Sequence, residues 1–248
     1  MTVGIPIRRL WPEPSAQPLD DAALTALYGR SDQPRLRVNF VSSLDGAVTV
    51  DGYSAGLSGE PDKRVFGLLR MVCDALVVAA GTLRHEAYRA VRLNETRRAW
   101  RRANGLAEYP TLVVVSGSLD LDPGQAAFAD APTRPIVLTH ADADPPPGLT
   151  DVADLLRCGT DRVDLAAGLA ALHGRGLTQL LCEGGPHLFG ALTAADLVDE
   201  LCLTVSPLLA GPGPGRITAG DTAPPRRLPL RHVLAADDGV LMLRHARR

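Results

Sequence analysis

The sequence predicts a single α/β domain with a mixed, mostly parallel central sheet flanked by helices and an antiparallel hairpin at its C-terminal end. Short apolar runs typical of strands buried on both faces alternate with helical patterns, which indicates parallel pairing; the clearest runs are 75–79, 111–115 and 178–182. Two later runs, 232–235 and 240–244, are joined by Asp-Asp-Gly, which indicates a hairpin. No internal repeat or linker divides the chain.

Length and composition are those of an ordinary globular protein. The 248 residues are 46% hydrophobic and carry a formal net charge of −2, so overall charge favours neither a nucleic acid nor a membrane partner. No apolar run approaches the roughly 20 residues that span a bilayer, and no apolar segment of a secretory signal follows Arg8 and Arg9. The four cysteines show neither a C-x-x-C pair nor zinc spacing, so we expect free thiols in the cytoplasm and no metal site.

The first part of the chain is predicted to carry an extension, a strand and a helix. Residues 1–34 are rich in proline and contain one short helical pattern, so we interpret them as an N-terminal extension on the surface of a domain that spans 35–248. Residues 35–41 alternate basic and apolar side chains, as a half-buried strand does. Residues 60–72 place an apolar stripe at helical spacing behind Pro61.

The later elements follow the same alternation. A basic, polar segment at 93–108 is predicted to be an exposed helix, because its arginines leave little apolar surface to bury. The remaining predicted elements are strands at 136–139, 152–156 and 201–205, and helices at 163–172 and from Pro186 to about residue 192. The Gly-Pro-Gly-Pro-Gly run at 211–215 is interpreted as a rigid turn, because its prolines lack the N–H groups that a phosphate loop uses.

Three predicted strands end in turns of small residues: Gly81-Thr82, Ser116-Gly117 and Glu183-Gly184-Gly185. If these strands are adjacent in a parallel sheet, the turns line one crevice at its carboxyl edge, where hydroxyls and backbone N–H groups suit a dinucleotide. Pro186 opens the next helix, and the free N–H groups of its first turn suit a pyrophosphate. Each turn taken alone favours a plain strand–helix connection, and it is the occurrence of three in one chain that points to a ligand site.

Four side chains are candidates for chemistry near such a crevice. Ser43 and Asp45 follow the first strand of the domain, although an Asp-Gly pair also makes a tight turn without any ligand. Arg70 is either a surface charge or a substrate clamp, and Glu86 is either a proton donor or an ordinary acid on a helix surface. The arginines between 89 and 102 form either a solvated face or a phosphate partner.

These residues together resemble the reductase domain of riboflavin-biosynthesis proteins. The motifs that carry the resemblance across roughly 35–245 are Ser43-Leu-Asp-Gly46, Leu68-Leu-Arg70, Gly81-Thr82 and Glu183-Gly-Gly-Pro186. The resemblance implies a dihydrofolate-reductase-like fold and a stand-alone, actinobacterial-type member of the family. It also implies NADPH as cofactor and a phosphorylated pyrimidine as substrate: 5-amino-6-(5-phosphoribosylamino)uracil is reduced at the ribosyl carbon to the ribitylamino product.

The resemblance also implies roles for individual residues. It assigns cofactor contacts to Ser43, Gly81, Thr82, Ser116, Gly184, Gly185, Pro186, His187, Leu188, Phe189 and Gly190. It assigns substrate contacts to Ser54, Arg70, Arg92 and Glu183, with the two arginines on the ribose phosphate and Glu183 hydrogen-bonded to the substrate. Glu86, where the family usually has an aspartate, is expected to supply the proton, and Asp45 is the second catalytic candidate.

Two departures from the family pattern keep other functions open. Gly56 replaces an aromatic residue that many members carry, and the arginine-rich stretch at 94–109 is longer than usual. A reductase of dihydrofolate or of a flavin- or deazaflavin-like compound is one alternative, and a non-catalytic dinucleotide-binding module is another. Nucleic-acid binding by 97–102 is disfavoured, because the protein as a whole is mildly acidic, with a net charge of −2. The apolar C-terminal hairpin favours a homodimer.

Overall fold

A single sheet of ten strands crosses the part of the protein that the computed structural model describes, residues 4–213 and 215–247. Residues 1–3, Pro214 and Arg248 lie outside this description. The predicted N-terminal extension, the turn predicted at 211–215 and the predicted domain are therefore described without these residues. The strands are β1 (Ile7–Trp11), β2 (Arg35–Ser42), β3 (Ala75–Ala79), β4 (Thr111–Val115), β5 (Ile136–Thr139), β6 (Asp154–Arg157), β7 (Gln179–Cys182), β8 (Glu200–Val205), β9 (Leu230–Ala236) and β10 (Leu241–Ala246).

Helices and one 3₁₀ turn, over Ser54–Gly56, connect these strands. The helices are α1 (Asp21–Tyr28), α2 (Glu60–Val72), α3 (Ala80–His85), α4 (Glu95–Ala103), α5 (Ala126–Ala129), α6 (Leu149–Val152), α7 (Leu165–Gly174) and α8 (Pro186–Ala194). The bounds predicted for α2, β3, β4 and β5 are the observed ones. The strand predicted at 152–156 begins two residues later, because α6 ends at Val152.

The order of strands across the sheet is β1-β9-β10-β8-β2-β7-β3-β4-β5-β6. Every pairing from β8 to β6 is parallel, whereas β10 runs antiparallel to both β8 and β9, and β1 runs antiparallel to β9. The predicted α/β class, with a mostly parallel sheet and a C-terminal antiparallel hairpin, is confirmed. No helix among the described residues is long and apolar enough to cross a membrane.

The two faces of the sheet pack against separate hydrophobic clusters. On β3, Leu76 and Val78 face one cluster together with α1 and α2, while Ala75 and Val77 face the other together with α7 and α8. Both faces of this strand are therefore covered, which is why its sequence is continuously apolar.

The segment before residue 35 is built into the sheet and the core. Strand β1, which the sequence analysis did not predict, pairs with β9, and Ile7 is fully buried. Helix α1 begins after Asp20, whose side chain accepts a hydrogen bond from the backbone N–H of Ala23, and it buries Leu24 and Tyr28. The segment therefore extends the central sheet by one edge strand.

Helix α4 departs from the prediction of an exposed basic helix. Arg101 is only 1% exposed, and its guanidinium donates to the carbonyl oxygens of Met71, Cys73 and Ala107. Two of these carbonyls belong to the C-terminal end of α2, where a helix leaves carbonyl groups without partners. The prediction was wrong at this position, because Arg101 fixes the end of α2 to α4.

The hairpin side of the sheet contains a buried cluster of charges around Glu200 on β8. Its carboxylate accepts hydrogen bonds from Arg37 on β2 and from Arg244 on β10, the latter at 2.8 and 2.9 Å. Burial favours the neutral carboxyl, but the charges and hydrogen bonds of the two arginines outweigh it and lower the pKa of Glu200 from 4.5 to about 2. Three strands are thus joined through one carboxylate.

Candidate active site

A cavity of about 590 Å³ opens at the carboxyl ends of β2, β3 and β7. The sheet places β7, β3 and β4 side by side, so the three small-residue turns predicted to line a crevice do follow adjacent parallel strands. The turns after β3 and β7 line the cavity, together with one face of α2, but the turn after β4 does not. Its size is that of a typical small-molecule site.

The turn between β7 and α8 packs tightly against its neighbours, and this explains its two glycines. Gly184 has φ +87°, and a Cβ there would lie 2.6 Å from Cζ of Phe40. A Cβ on Gly185 would lie 2.4 Å from Oγ1 of Thr82. The peptide bond between the two glycines is cis. Because neither glycine carries a side chain, the N-terminus of α8 can approach Thr82 closely.

The first turn of α8 offers backbone donors rather than side chains. The backbone N–H groups of His187 and Leu188 have no hydrogen-bond acceptor among the described residues, whereas Phe189 donates to Gly185. Such a helix N-terminus suits an anion. The side chains of Leu188 and Phe189 are buried in the core, and a Cβ on Gly190 would lie 2.0 Å from the carbonyl oxygen of Ala219.

Arg70 and Glu183 form an ion pair on the cavity wall. Arg70 donates from Nε to Oε1 of Glu183 at 2.7 Å and from Nη2 to Oε2 at 2.6 Å. Tyr88 donates its hydroxyl to the same Oε2 at 2.6 Å. The guanidinium carbon lies 4.2 Å from the ring centroid of Phe66, a cation–π distance. The Glu183 side chain is only 3% exposed and that of Arg70 is 24% exposed.

The ionisation of this group follows from its contacts. Burial alone lowers the pKa of Arg70, but the charge of Glu183 raises it above its ordinary value, so the guanidinium stays charged. Burial raises the pKa of Tyr88 well above 10, and Glu183 raises it further, so the phenol remains a donor. Arg70 and Tyr88 together donate three hydrogen bonds to the Glu183 carboxylate and fix its orientation on the cavity wall.

Two further predicted residues meet on the same wall. Glu86, just after α3, accepts a hydrogen bond through Oε1 from the backbone N–H of Ser54 at 3.2 Å. Both line the cavity. Of the residues predicted from the sequence, the structure brings eight together there: Ser54, Arg70, Gly81, Thr82, Glu86, Glu183, Gly185 and Pro186.

Asp45 and Ser43 lie outside the cavity. The Asp45 carboxylate accepts hydrogen bonds from the Ser43 hydroxyl and from the backbone N–H groups of Ala210 (3.2 Å) and Gly211 (2.8 Å). The hydrogen bond from Ser43, followed by those two, lowers the pKa of Asp45 from 3.8 to about 2. Asp45 therefore anchors the loop after β8 in the structure.

Ser116 and Arg92 also have partners away from the cavity. Ser116 is buried; its hydroxyl accepts from the backbone N–H of Leu119 at 3.1 Å, within its own turn. Arg92 donates to the carbonyl oxygen of Asp130 at 2.9 Å and lines a second depression beside α5, which shares the wall of residues 87–90 with the cavity. No group of three or more His, Cys, Asp or Glu side chains within the described ranges could hold a metal ion.

The sequence analysis missed several residues of the cavity wall, of which Lys63, Phe66 and Tyr88 matter most. Lys63 and Phe66 lie seven and four positions before Arg70, so helical periodicity places all three on one face of α2 and could have identified them. Tyr88 follows α3 in irregular structure, where no periodic signal exists.

Comparisons with known proteins match most of the chain. A family model described as the RibD C-terminal domain matches residues 34–242. The 2,5-diamino-6-ribosylamino-4(3H)-pyrimidinone 5′-phosphate reductase of Methanothermobacter thermautotrophicus is 30% identical over 183 residues, which cover 72% of this chain and 80% of that protein. The protein of the same name from Archaeoglobus fulgidus is 30% identical, with 72% and 83% covered. A pyrimidine reductase-like protein from Corynebacterium diphtheriae aligns with TM-score 0.81 and 27% identity over 90% of this chain and 97% of that one.

Proposed function

The chain belongs to the family of the RibD C-terminal domain, and on that premise we propose that it is an NADPH-dependent oxidoreductase of riboflavin biosynthesis that reduces a phosphoribosylaminopyrimidine. The observation that carries the proposal is the single cavity that joins the N-terminal turn of α8 to the buried carboxylate of Glu183. An anionic cofactor and a hydrogen-bonding substrate can meet there.

The cofactor end of the cavity is the side formed by α8 and the turn after β3. The backbone N–H groups of His187 and Leu188, in the first turn of α8, would donate to the pyrophosphate. Gly81 and Thr82 would contact the nicotinamide half from the facing turn. When bound, NADPH supplies the hydride that reduces the ribosyl carbon C1′.

The substrate end is built around Glu183. A carboxylate has about four acceptor positions, and three are occupied by Arg70 and Tyr88. One position on Oε1 remains for an N–H or O–H of the substrate. As C1′ takes the hydride, its bond to the ring oxygen O4′ breaks and O4′ requires a proton, which Glu86 would donate from the cavity wall.

The assay compares three candidate substrates by following NADPH oxidation. The relatives are named for the 2,5-diaminopyrimidinone phosphate, so that compound is tested first, against the phosphoribosylaminouracil and against dihydrofolate. Turnover of either phosphoribosylaminopyrimidine supports the proposal. Turnover of dihydrofolate alone would favour the alternative reductase, and NADPH binding without any turnover would favour a non-catalytic module.

Glu86→Gln tests the assignment of the proton donor. The amide cannot give up a proton, so we expect kcat to fall by about 100-fold or more while NADPH binding is retained. Glu13→Gln, an exposed change in the segment after β1, is the control. An unchanged kcat in Glu86→Gln would reject the assignment.

A homodimer is also proposed, with the apolar face of the C-terminal hairpin as its contact. Leu243 is aligned across the sheet with Leu203 and Val233, and Leu241 with Val205. These side chains are partly buried. A pairing of two such faces would cover them. Analytical ultracentrifugation tests this, and a monomer at all concentrations would reject it.

A further inference from the structure

His85 joins two parts of the cavity wall. It is the last residue of α3, it lines the cavity, and Glu86 follows it directly. Its Nε2 lies 2.8 Å from the carbonyl oxygen of Gly52. A carbonyl oxygen only accepts hydrogen bonds, so Nε2 carries a proton and donates, in the neutral and in the charged ring alike. No step of the proposed reaction accounts for this side chain.

The ring of Tyr53 stacks on the ring of His85. The two ring centroids are 4.9 Å apart and the ring planes differ by 14°, a favourable stacked geometry. Tyr53 is 51% exposed and does not line the cavity, so neither core burial nor contact with a ligand there explains its position. The tyrosine therefore supports His85 from outside the cavity.

Tyr53 closes a tight turn. Val50 and Tyr53 exchange two backbone hydrogen bonds of 3.0 Å, and the two residues between them have φ of 51° and 84°, as in the turns of two-residue hairpins. A Cβ on Gly56 would lie 2.9 Å from Cβ of Val50, so the 3₁₀ turn that follows packs directly on the tight turn. The 50–56 segment is therefore one compact unit.

The end of α3 holds this segment in place. Beyond the hydrogen bond that closes the 3₁₀ turn, the 50–56 segment makes two hydrogen bonds to the rest of the described chain. One runs from His85 to Gly52, and the other from the backbone N–H of Ser54 to Oε1 of Glu86 at 3.2 Å, the long end of the normal range. With the stacked ring included, three consecutive residues of the segment contact the end of α3.

We propose that His85 is a positioning residue, which fastens the 50–56 segment to the end of α3 and thereby fixes the orientation of Glu86. With the segment fastened by His85 and Tyr53, the N–H of Ser54 stays on Oε1 of Glu86. Without them the segment can swing away, and the carboxyl group loses its one hydrogen-bond partner. This inference rests on the proposed function for the role of Glu86, whereas the fastening can be measured without turnover.

Amide hydrogen exchange tests the fastening on the protein without any ligand. His85→Ala and Tyr53→Ala should each speed exchange across 50–56 by about 10-fold, because each removes the stack and the first also removes the bond to Gly52. His85→Gln keeps a donor and His85→Phe keeps a ring, so each should recover part of the protection. Trp11→Ala, which removes another exposed aromatic side chain at the outer edge of the sheet, is the control. Wild-type exchange across 50–56 in both alanine variants would overturn the proposal, whether or not the protein proves to be a reductase.

Kinetics tests whether the fastening acts through Glu86. His85→Ala should lower kcat by about 10-fold, part of the loss expected for Glu86→Gln, because a misplaced proton donor is less effective. The Kd of NADPH should stay unchanged, and His85→Gln should recover part of kcat. In the Glu86→Gln background, His85→Ala should have no further effect on kcat, because the carboxyl group that it positions is already gone.

Two kinetic outcomes would contradict the proposal. An equal fall in kcat in both backgrounds would mean that His85 acts independently of Glu86. A raised KM or a weaker Kd for NADPH, with kcat unchanged, would assign His85 to ligand binding instead. If the wild-type protein reduces none of the candidate substrates, the proposed function fails, and the exchange measurement alone decides whether His85 fastens the segment.

Discussion

Replacing Glu183 by glutamine keeps the shape of the side chain and removes its charge. In wild type, Oε1 accepts from Nε of Arg70, while Oε2 accepts from both Nη2 of Arg70 and the hydroxyl of Tyr88. A glutamine must point its NH₂ group at one of these arginine nitrogens, so a donor faces a donor. The orientation that keeps the two bonds at the Oε2 position loses the bond to Nε.

The expected cost follows from burial. Removing one partner of a buried ion pair costs about 3–5 kcal/mol. Because the Arg70 side chain is 24% exposed and keeps a hydrogen bond, we expect Glu183→Gln to lower the free energy of unfolding by about 2–4 kcal/mol. For a domain of this size that corresponds to a fall in Tm of roughly 4–16 °C.

Urea and thermal unfolding of a double-mutant cycle measure the pair itself. Arg70→Met in the Glu183→Gln background removes the arginine that has lost its partner, so the two changes together should cost about 1–3 kcal/mol less than the sum of the single variants. Glu13→Gln serves as the exposed control. A loss below about 1 kcal/mol in Glu183→Gln, or strict additivity, would refute the conclusion that this pair is desolvated and coupled.

Three other changes test the packing around the site and the sheet. Gly190→Ala should lower the free energy of unfolding by about 1–3 kcal/mol, because its Cβ would lie 2.0 Å from the carbonyl oxygen of Ala219. Gly174→Ala, with nothing within 4 Å of its Cβ, is the control. Equal Tm values for the two variants would show that the contact at Gly190 is not tight. Arg101→Met should lower the free energy of unfolding in urea by about 2–3 kcal/mol, because three carbonyl oxygens lose their donor. A urea midpoint equal to that of the wild type would contradict this. The folded-state pKa of Glu200 is depressed, so its contribution to stability is present above pH 4.5 and is lost as the pH falls toward 2. Glu200→Gln should therefore flatten the acid side of the stability–pH profile, and an unchanged profile would contradict the assignment.

The sequence predicted best the elements that are covered on both faces. Strand β3 is continuously apolar because its two faces pack against two different hydrophobic clusters. A short run of this kind is typical of a strand that is buried on both faces. Strand β1 was missed because its five residues, Ile-Arg-Arg-Leu-Trp, carry two arginines and the exposed Leu10 and Trp11. An edge strand of this kind lacks both the apolar run and the alternation.

The sequence also identified the strand-end turns of the site, since glycines and a following Pro186 mark a strand–helix turn from local information alone. The ion pair could not be predicted in the same way. Arg70 and Glu183 are 113 positions apart, and neither the pairing nor the contribution of Tyr88 leaves any periodic signal. Arg101 shows the same limit, because helical pattern does not reveal that a long side chain reaches the carbonyls of another helix.

A fluorescence titration of the purified protein with NADPH and with NADH tests the proposed cofactor site most directly. We expect micromolar binding of NADPH at the cavity beside α8 and weaker binding of NADH, as the family resemblance implies. Gly185→Val, whose side chain would collide with Oγ1 of Thr82 and displace the N-terminal turn of α8, should abolish this binding while Gly174→Ala retains it. No binding of either dinucleotide to the folded wild-type protein would contradict the proposed reductase function, because the turns after β3 and β7 would then be strand–helix connections only.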